Sequence, residues 1–217
     1  MNIRGVFIED TFAEAFTMRV ARIIITARSE RWAREAALKL TGFATSVIGC
    51  KCEAGIERVL GPGDTPDGRP GVSILFMTMG KDEMGKRLIE RIGQTVLTCP
   101  TTACYDGLPG VPDRVGVGSA LKFFGDGFQA SKVIAGERFW RIPVMEGEFL
   151  VQEKFGMQKG VGGGNFLILA TSADAALAAA EAAADAIDPI EDIQSDAEYR
   201  RDLVRAITRR ALEHAAQ

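Results

Sequence analysis

The segment Phe123-Phe124-Gly125-Asp126-Gly127-Phe128-Gln129 is the stretch of this chain best suited to chemistry. Two glycines around an aspartate let the backbone come close to a ligand and take positive φ, so Asp126 can be presented on a tight turn. The same residues also fit a turn in which Asp126 bonds only to its own backbone. Other acids gather near the N-terminus (Glu9, Asp10, Glu14) and at Glu53, which follows Cys50-Lys51-Cys52. Each suits a helix cap or surface charge as well as a carboxylate site. The single histidine, His214, lies three residues from the end of the sequence. Histidine-assisted nucleophiles need that base held rigidly in a cleft. Acid–base work therefore falls to carboxylates, tyrosine, lysine or backbone groups.

Other constellations exclude more than they suggest. Cys50, Cys52, Cys99 and Cys104 include no second pair at ligand spacing, so free thiols are expected and no metal. Gly160-Val161-Gly162-Gly163-Gly164-Asn165 has Asn165 where a dinucleotide fingerprint needs glycine, and it lacks the Lys-Ser/Thr of a P-loop. It reads as a turn between strands. A net charge of −3 leaves no cationic excess for displacing counterions, so no nucleic acid partner is expected. No apolar run reaches spanning length, and residues 1–10 lack a signal-peptide pattern, so the expectation is a cytoplasmic protein with no membrane partner.

The elements that must position these residues follow from periodicity. Ile3–Ile8 alternates as a short strand, and Asp10-Thr11 can cap a helical turn through Met18. The β-branched run Val20–Thr26 predicts a buried strand. Ser29 can cap a helix with Trp32, Ala36 and Leu40 on one face, ended by Gly42. Strands are expected at Ser46–Cys50, Val72–Met79 and Thr95–Cys99, with a helix at Lys81–Arg91 that turns Met84, Leu88 and Ile92 inward. The turn formers of residues 65–71 mark a loop. This order is the ferredoxin-like split βαβ pattern of an α+β fold. Residues 100–118 read as a long loop, Phe139–Val144 with Glu148–Glu153 as a hairpin, and Phe166–Ala170 as a strand. Alanines of Ala173–Ile187 suit a helix pressed close to a sheet, and a capping box at Ser195–Glu198 opens a last helix.

Seven ordered blocks give a sharper reading. They are GVFIEDTFAEAF (5–16), TGFATSVIGCKCEAGIE (41–57), TPDGRPGVSIL (65–75), RIGQTVLTCPT (91–101), FFGDGFQ (123–129), WRIPVMEGEF (140–149) and GVGGGNFLILA (160–170). Over residues 1–187 the chain resembles the formylmethanofuran:tetrahydromethanopterin formyltransferase family. The resemblance implies formyl transfer between formylmethanofuran, or an analogous carrier, and N5 of tetrahydromethanopterin. Both carriers would be substrates, with no tightly bound cofactor. It implies a two-lobed chain assembled as a homo-oligomer, a tetramer in the family, and in methylotrophic bacteria a place in a formyltransferase/hydrolase complex. On the matching blocks it points to Glu53 and Asp126 as catalytic candidates. Thr45, Ser46, Arg69, Gln94 and Gln129 are the substrate-binding candidates, with Arg69 suited to an acidic substrate tail. The expected organisation is a first lobe over 1–146, the start of a truncated second lobe over 147–187, and a helical tail over 188–217. The second lobe, which bears the glutamate usually taken as catalytic, is thus incomplete and ends in helices. The tail resembles the C-terminal end of the flavin-binding subunit of molybdenum hydroxylases, but that family's flavin-contacting segments are absent and FAD is not implied. The competing reading is a catalytically inactive subunit that docks to the complex.

Overall fold

The computed structural model describes residues 2–3, 6–7, 16–145, 147–162 and 168–185. It forms two compact units, Thr17–Gly162 and a second made of Met1–Phe16 with Gly163–Gln217. In the second unit β1 (Asn2–Ile3) pairs antiparallel with β2 (Val6–Phe7), so the single strand expected at Ile3–Ile8 is replaced by two short ones.

The large unit starts with β3 (Phe16–Thr26), followed by α1 (Glu30–Thr41), a helical turn α2 (Val47–Cys50), β4 (Glu53–Leu60) and β5 (Gly71–Thr78). Then come α3 (Lys81–Arg91), β6 (Ala103–Asp106), β7 (Arg114–Gly116) and α4 (Gly118–Leu121). The strands β8 (Ala130–Ile134), β9 (Glu137–Val144), β10 (Gly147–Gln152), β11 (Lys154–Gly156) and β12 (Gln158–Gly162) complete it. In the second unit α5 (Ala173–Asp185) is the alanine-rich helix. Ser172 caps it, its Oγ accepting the Ala175 N–H at 3.2 Å. No described side chain of α5 is buried, which corrects the expectation that its alanines press on a sheet.

Seven strands line up as β4-β5-β3-β6-β10-β9-β8, and β12 pairs with β3 off that path. Every neighbour contact within β4-β5-β3-β6 is antiparallel, whereas β10 joins β6 in parallel, so the sheet is mixed. The β7–β11 pair stands apart as its own ladder. The fold is therefore α+β, one large mixed sheet with few helices. Ile23, Ile25, Ile74 and Phe76 of the sheet pack with Ala33, Ala36, Ala37 and Leu40 of α1 and with Met84 and Leu88 of α3. Each large buried side chain contributes about 1.5–3 kcal/mol. Trp32, expected on the inner face of α1, is 37% exposed, so alanines rather than the indole meet the sheet.

Five expected segments differ, the first two for a visible local reason. Ser46–Cys50 is a helical turn instead of a strand, because Ser46 Oγ takes the Ile48 N–H and Glu53 Oε1 takes the Val47 N–H, both at 3.3 Å. Thr95–Cys99 is not a strand either. After α3 the chain makes a π-type turn, Ile92–Val96, with Leu97 N–H on the Ile92 carbonyl at 2.9 Å. Thr95 Oγ1 donates to the Arg91 carbonyl at 2.7 Å and Thr98 Oγ1 to that of Gln94 at 2.9 Å, which keeps the segment coiled. The loop expected over 100–118 contains β6, whose four residues are all buried, and β7. Residues 16–18, expected at the end of a helical turn, belong to β3. Residues 168–170 form no strand. The rest of the strand expected at 166–170, the start of that helical turn and the helix after 195 lie outside the described residues.

Candidate functional site

The glycine-flanked loop is built as a strained turn. From α4 the chain enters a 3₁₀ turn, Lys122–Gly125, and ends it at Asp126 with φ 48° and ψ 37°. A non-glycine residue held there costs about 1–2 kcal/mol, least for Asp and Asn. Gly127 follows at φ 85°, and the Phe128 N–H closes the turn on the Gly125 carbonyl at 2.9 Å. The Asp126 carboxylate is exposed at its tip. Gln129 is half-buried, and its Oε1, shielded from water, lacks a hydrogen-bond partner. A Cβ on Gly125 would come within 3.2 Å of that oxygen, so the turn itself covers the amide. Phe123, Phe124 and Phe128 are 72%, 50% and 78% exposed, so the loop turns three rings outward instead of into the core.

The π-type turn lies against this loop. A Cβ on Gly93 would come within 2.9 Å of Leu121 and 3.6 Å of the Phe124 ring, so the absence of a side chain lets the two segments touch. Gln94 is the exposed next residue. At the head of the same turn Arg91 donates to the carbonyls of Leu40, Gly42 and Phe43 at 2.6–2.7 Å. That tie draws in the third group. Thr45 sits opposite Glu53 in an isolated antiparallel bridge, and the Glu53 carboxylate and Ser46 hydroxyl cap α2. Cys50, at the end of α2, has its thiol pKa lowered, first by a hydrogen bond from the Ser46 backbone and further by Thr45 and the Arg91 charge. The thiols of Cys52, Cys99 and Cys104 are pushed up by burial. The four are free cysteines.

Arg69 belongs to a different cluster. Its guanidinium donates to Asp67 at 2.7 Å, to Thr26 Oγ1 at 2.9 Å and to the Thr101 carbonyl at 2.6 Å. Thr26 and Tyr105 also donate to Asp67, at 2.7 and 2.9 Å. Burial alone would raise the Asp67 pKa, but the bonds from Thr26, Arg69 and Tyr105 together hold it below the usual carboxylate range. The fork expected to meet an acidic substrate is thus already engaged within the chain, where it clasps loop 61–70 to the ends of β3 and β6. Of the seven candidates, the structure groups Thr45, Ser46 and Glu53 around α2, and places Gln94, Asp126 and Gln129 on abutting turns.

Two networks escaped sequence reasoning. Asp106, pushed up by burial, accepts from Leu108 N–H at 2.9 Å and pairs with Arg114 at 3.2 Å, while Arg114 also pairs with Glu137 at 2.6 Å. Glu153, just after β10, accepts from Ser119 Oγ at 2.8 Å and from Trp140 Nε1. Neither set is contiguous in sequence, and the pairing that unites each appears only when the strands are placed. Among the described residues no group of three His, Cys, Asp or Glu side chains could hold a metal, and no helix is long and apolar enough to cross a membrane. What this surface can do is bind flat ligands over exposed rings and offer the Asp126 carboxylate to polar atoms.

Comparison with known proteins gives consistent matches. The family model described as formylmethanofuran-tetrahydromethanopterin formyltransferase matches residues 1–144, and the model of that family's proximal lobe matches residues 147–206. The second match runs past residue 187, where the resemblance read from the sequence ends. The formylmethanofuran–tetrahydromethanopterin formyltransferase of Methylobacillus flagellatus is 59% identical over 89% of this chain and 65% of its own length. That of Methanosarcina acetivorans is 51% identical over 88% and 64%. Among solved structures, the formyltransferase from Methanosarcina barkeri superposes with a TM-score of 0.81 at 52% identity, covering 88% of this chain and 64% of that one. A chain of the formyltransferase/hydrolase complex from Methylorubrum extorquens, solved with methylofuran, gives 0.84 at 45% identity, covering 88% and 63%. The chain spans just under two thirds of the length of these relatives.

Proposed function

We propose, from the premise that this chain belongs to the formylmethanofuran–tetrahydromethanopterin formyltransferase family, that it takes part in moving a formyl group between a methanofuran-type carrier and N5 of tetrahydromethanopterin. The observation that carries this is 50–60% identity to named formyltransferases along nearly the whole chain, with the FFGDGFQ loop and the turn at Gln94 packed against each other. In the transfer, the pterin amine attacks the formyl carbon and the carbonyl oxygen becomes an oxyanion. Collapse then expels the carrier's amine, which takes up a proton as N5 loses one. Positioning of two bulky substrates and stabilisation of that charge supply most of the acceleration, and a carboxylate moves the proton. Asp126 and Glu53 are the candidates for that carboxylate, and Thr45, Ser46, Gln94 and Gln129 for binding. Arg69 would act through the clasp it makes with Asp67, its side chain one-third exposed toward solvent (33%).

The antiparallel order β4-β5-β3-β6 with α1 and α3 as its crossovers supports reading residues 16–106 as a ferredoxin-like split βαβ. We place the first lobe at 1–146, the start of the second at 147–187 and the tail at 188–217. The carriers act as substrates with no tightly bound cofactor, in the cytoplasm, within a homo-oligomer. Likeness to a chain of a formyltransferase/hydrolase complex favours a second reading, an inactive docking subunit.

The test is turnover by the purified chain with formylated carrier and tetrahydromethanopterin both in excess. Formyl transfer that requires both is expected, and Asp126→Asn or Glu53→Gln should lower kcat about 10²–10⁴-fold for whichever residue moves the proton. No transfer at saturating carriers, with stable binding to the hydrolase partners, would hand the case to the docking reading.

A further inference from the structure

We infer that Glu153 is the positioning residue of the FFGDGFQ loop, a role that rests on the proposed reading of this loop as carrier-binding. Glu153 lies between β10 and β11, yet its contacts converge on the start of the loop. Its carbonyl accepts the N–H groups of Val117 and Gly118 at 2.8 and 3.1 Å. Its carboxylate takes the Ser119 hydroxyl at 2.8 Å on one oxygen and the Trp140 indole N–H on the other. One residue therefore holds both backbone and side chain of the first turn of α4, which runs without interruption into Lys122–Gly125 and the left-handed Asp126.

Trp140 extends the clamp. Its ring lies beneath Lys122, whose Nζ is 4.9 Å from that centroid and 5.1 Å from the Phe123 ring. Gly118 gives the indole its place, since a Cβ there would come within 2.6 Å of Trp140 and 3.0 Å of the Glu153 backbone. Glu153 is itself fixed from behind, its N–H on the Arg138 carbonyl of β9 at 2.8 Å. A charged carboxylate accepting two side-chain donors is a strong anchor. The loop beyond it presents exposed rings and little buried area of its own, so its conformation depends on where it is anchored.

The experiment compares wild type with Glu153→Ala, Glu153→Gln and Ser119→Ala by amide hydrogen exchange and by carrier kinetics. Glu153→Ala is expected to speed exchange at Ala120, Leu121 and Phe128 by about ten-fold or more, with β9 and β10 unchanged. Ser119→Ala, and Glu153→Gln with its single acceptor oxygen, should fall between. KM for one carrier should rise about five-fold or more, with kcat falling as well only where Asp126 is the carboxylate that moves the proton. Unchanged exchange in the loop overturns the proposal. So does equal loss of protection across β9 and β10, which would make Glu153 a support of the sheet alone, or a loosened loop with both KM values intact. A wild-type chain without transfer sinks the functional reading instead, and the local exchange pattern then decides the role of Glu153 by itself.

Discussion

Asp67 shows how one side chain can fix a loop. Its carboxylate collects bonds from Thr26, Arg69 and Tyr105, and these outweigh the burial that would otherwise raise its pKa. A carboxylate whose folded pKa is depressed adds stability above its unfolded value of about 3.9. That stability is lost as pH falls through the folded pKa. Tyr105→Phe removes one donor and leaves the ring, which packs at 6.2 Å from Phe139. The expected cost is about 1 kcal/mol at pH 7, at the low end for a bond to a charged group because the site is partly solvated. Urea unfolding at pH 7 and pH 3 should show the gap between variant and wild type narrowing in acid. A gap that is equal at both values would mean that the Tyr105 hydroxyl supports the loop whatever the charge on Asp67.

At the scale of elements, glycines set which strands and turns can approach. On β11 a Cβ at Gly156 would reach within 2.5 Å of the Leu108 carbonyl and also meet Val111, and a backbone oxygen cannot rotate aside. Gly156→Ala should destabilise by about 1–3 kcal/mol. On β4, Gly55 has nothing within 4 Å of its missing Cβ, so Gly55→Ala should stay within about 0.5 kcal/mol. Parallel urea titrations check the pair, and equal costs would remove the steric argument. The same scale explains what the sequence made legible. Ile23–Ile25, Ile74 with Phe76, and the 3–4 spacing of Met84 and Leu88 announce β3, β5 and α3 because local pattern and burial agree. Ser46–Cys50 and Thr95–Cys99 misled because their β-branched residues suit strands, while side-chain bonds from Ser46, Glu53, Thr95 and Thr98 bend the backbone the other way. Asp126 was legible from its two glycines. Glu153 was not, since its partners Ser119 and Trp140 lie 34 and 13 residues away.

Among the described residues, the buried hydrophobic core runs from Met18 to Met157, inside the Thr17–Gly162 unit. The ends of that unit are neighbours in the sheet, because β12 pairs with β3 and Gly162 packs so tightly on Met18 that a Cβ there would collide with its sulfur. Residues 17–162 hold the mixed sheet, both long core helices and the Glu153 clamp, so they contain the contacts that make unfolding cooperative. The excised fragment should keep near-ultraviolet circular dichroism from Trp32 and Trp140 and unfold in urea in one transition. Its midpoint should lie within about 0.5 M of that of the full chain, a difference of about 1 kcal/mol at the usual slope. Broad unfolding with loss of the aromatic signal would mean that residues outside 17–162 complete the core.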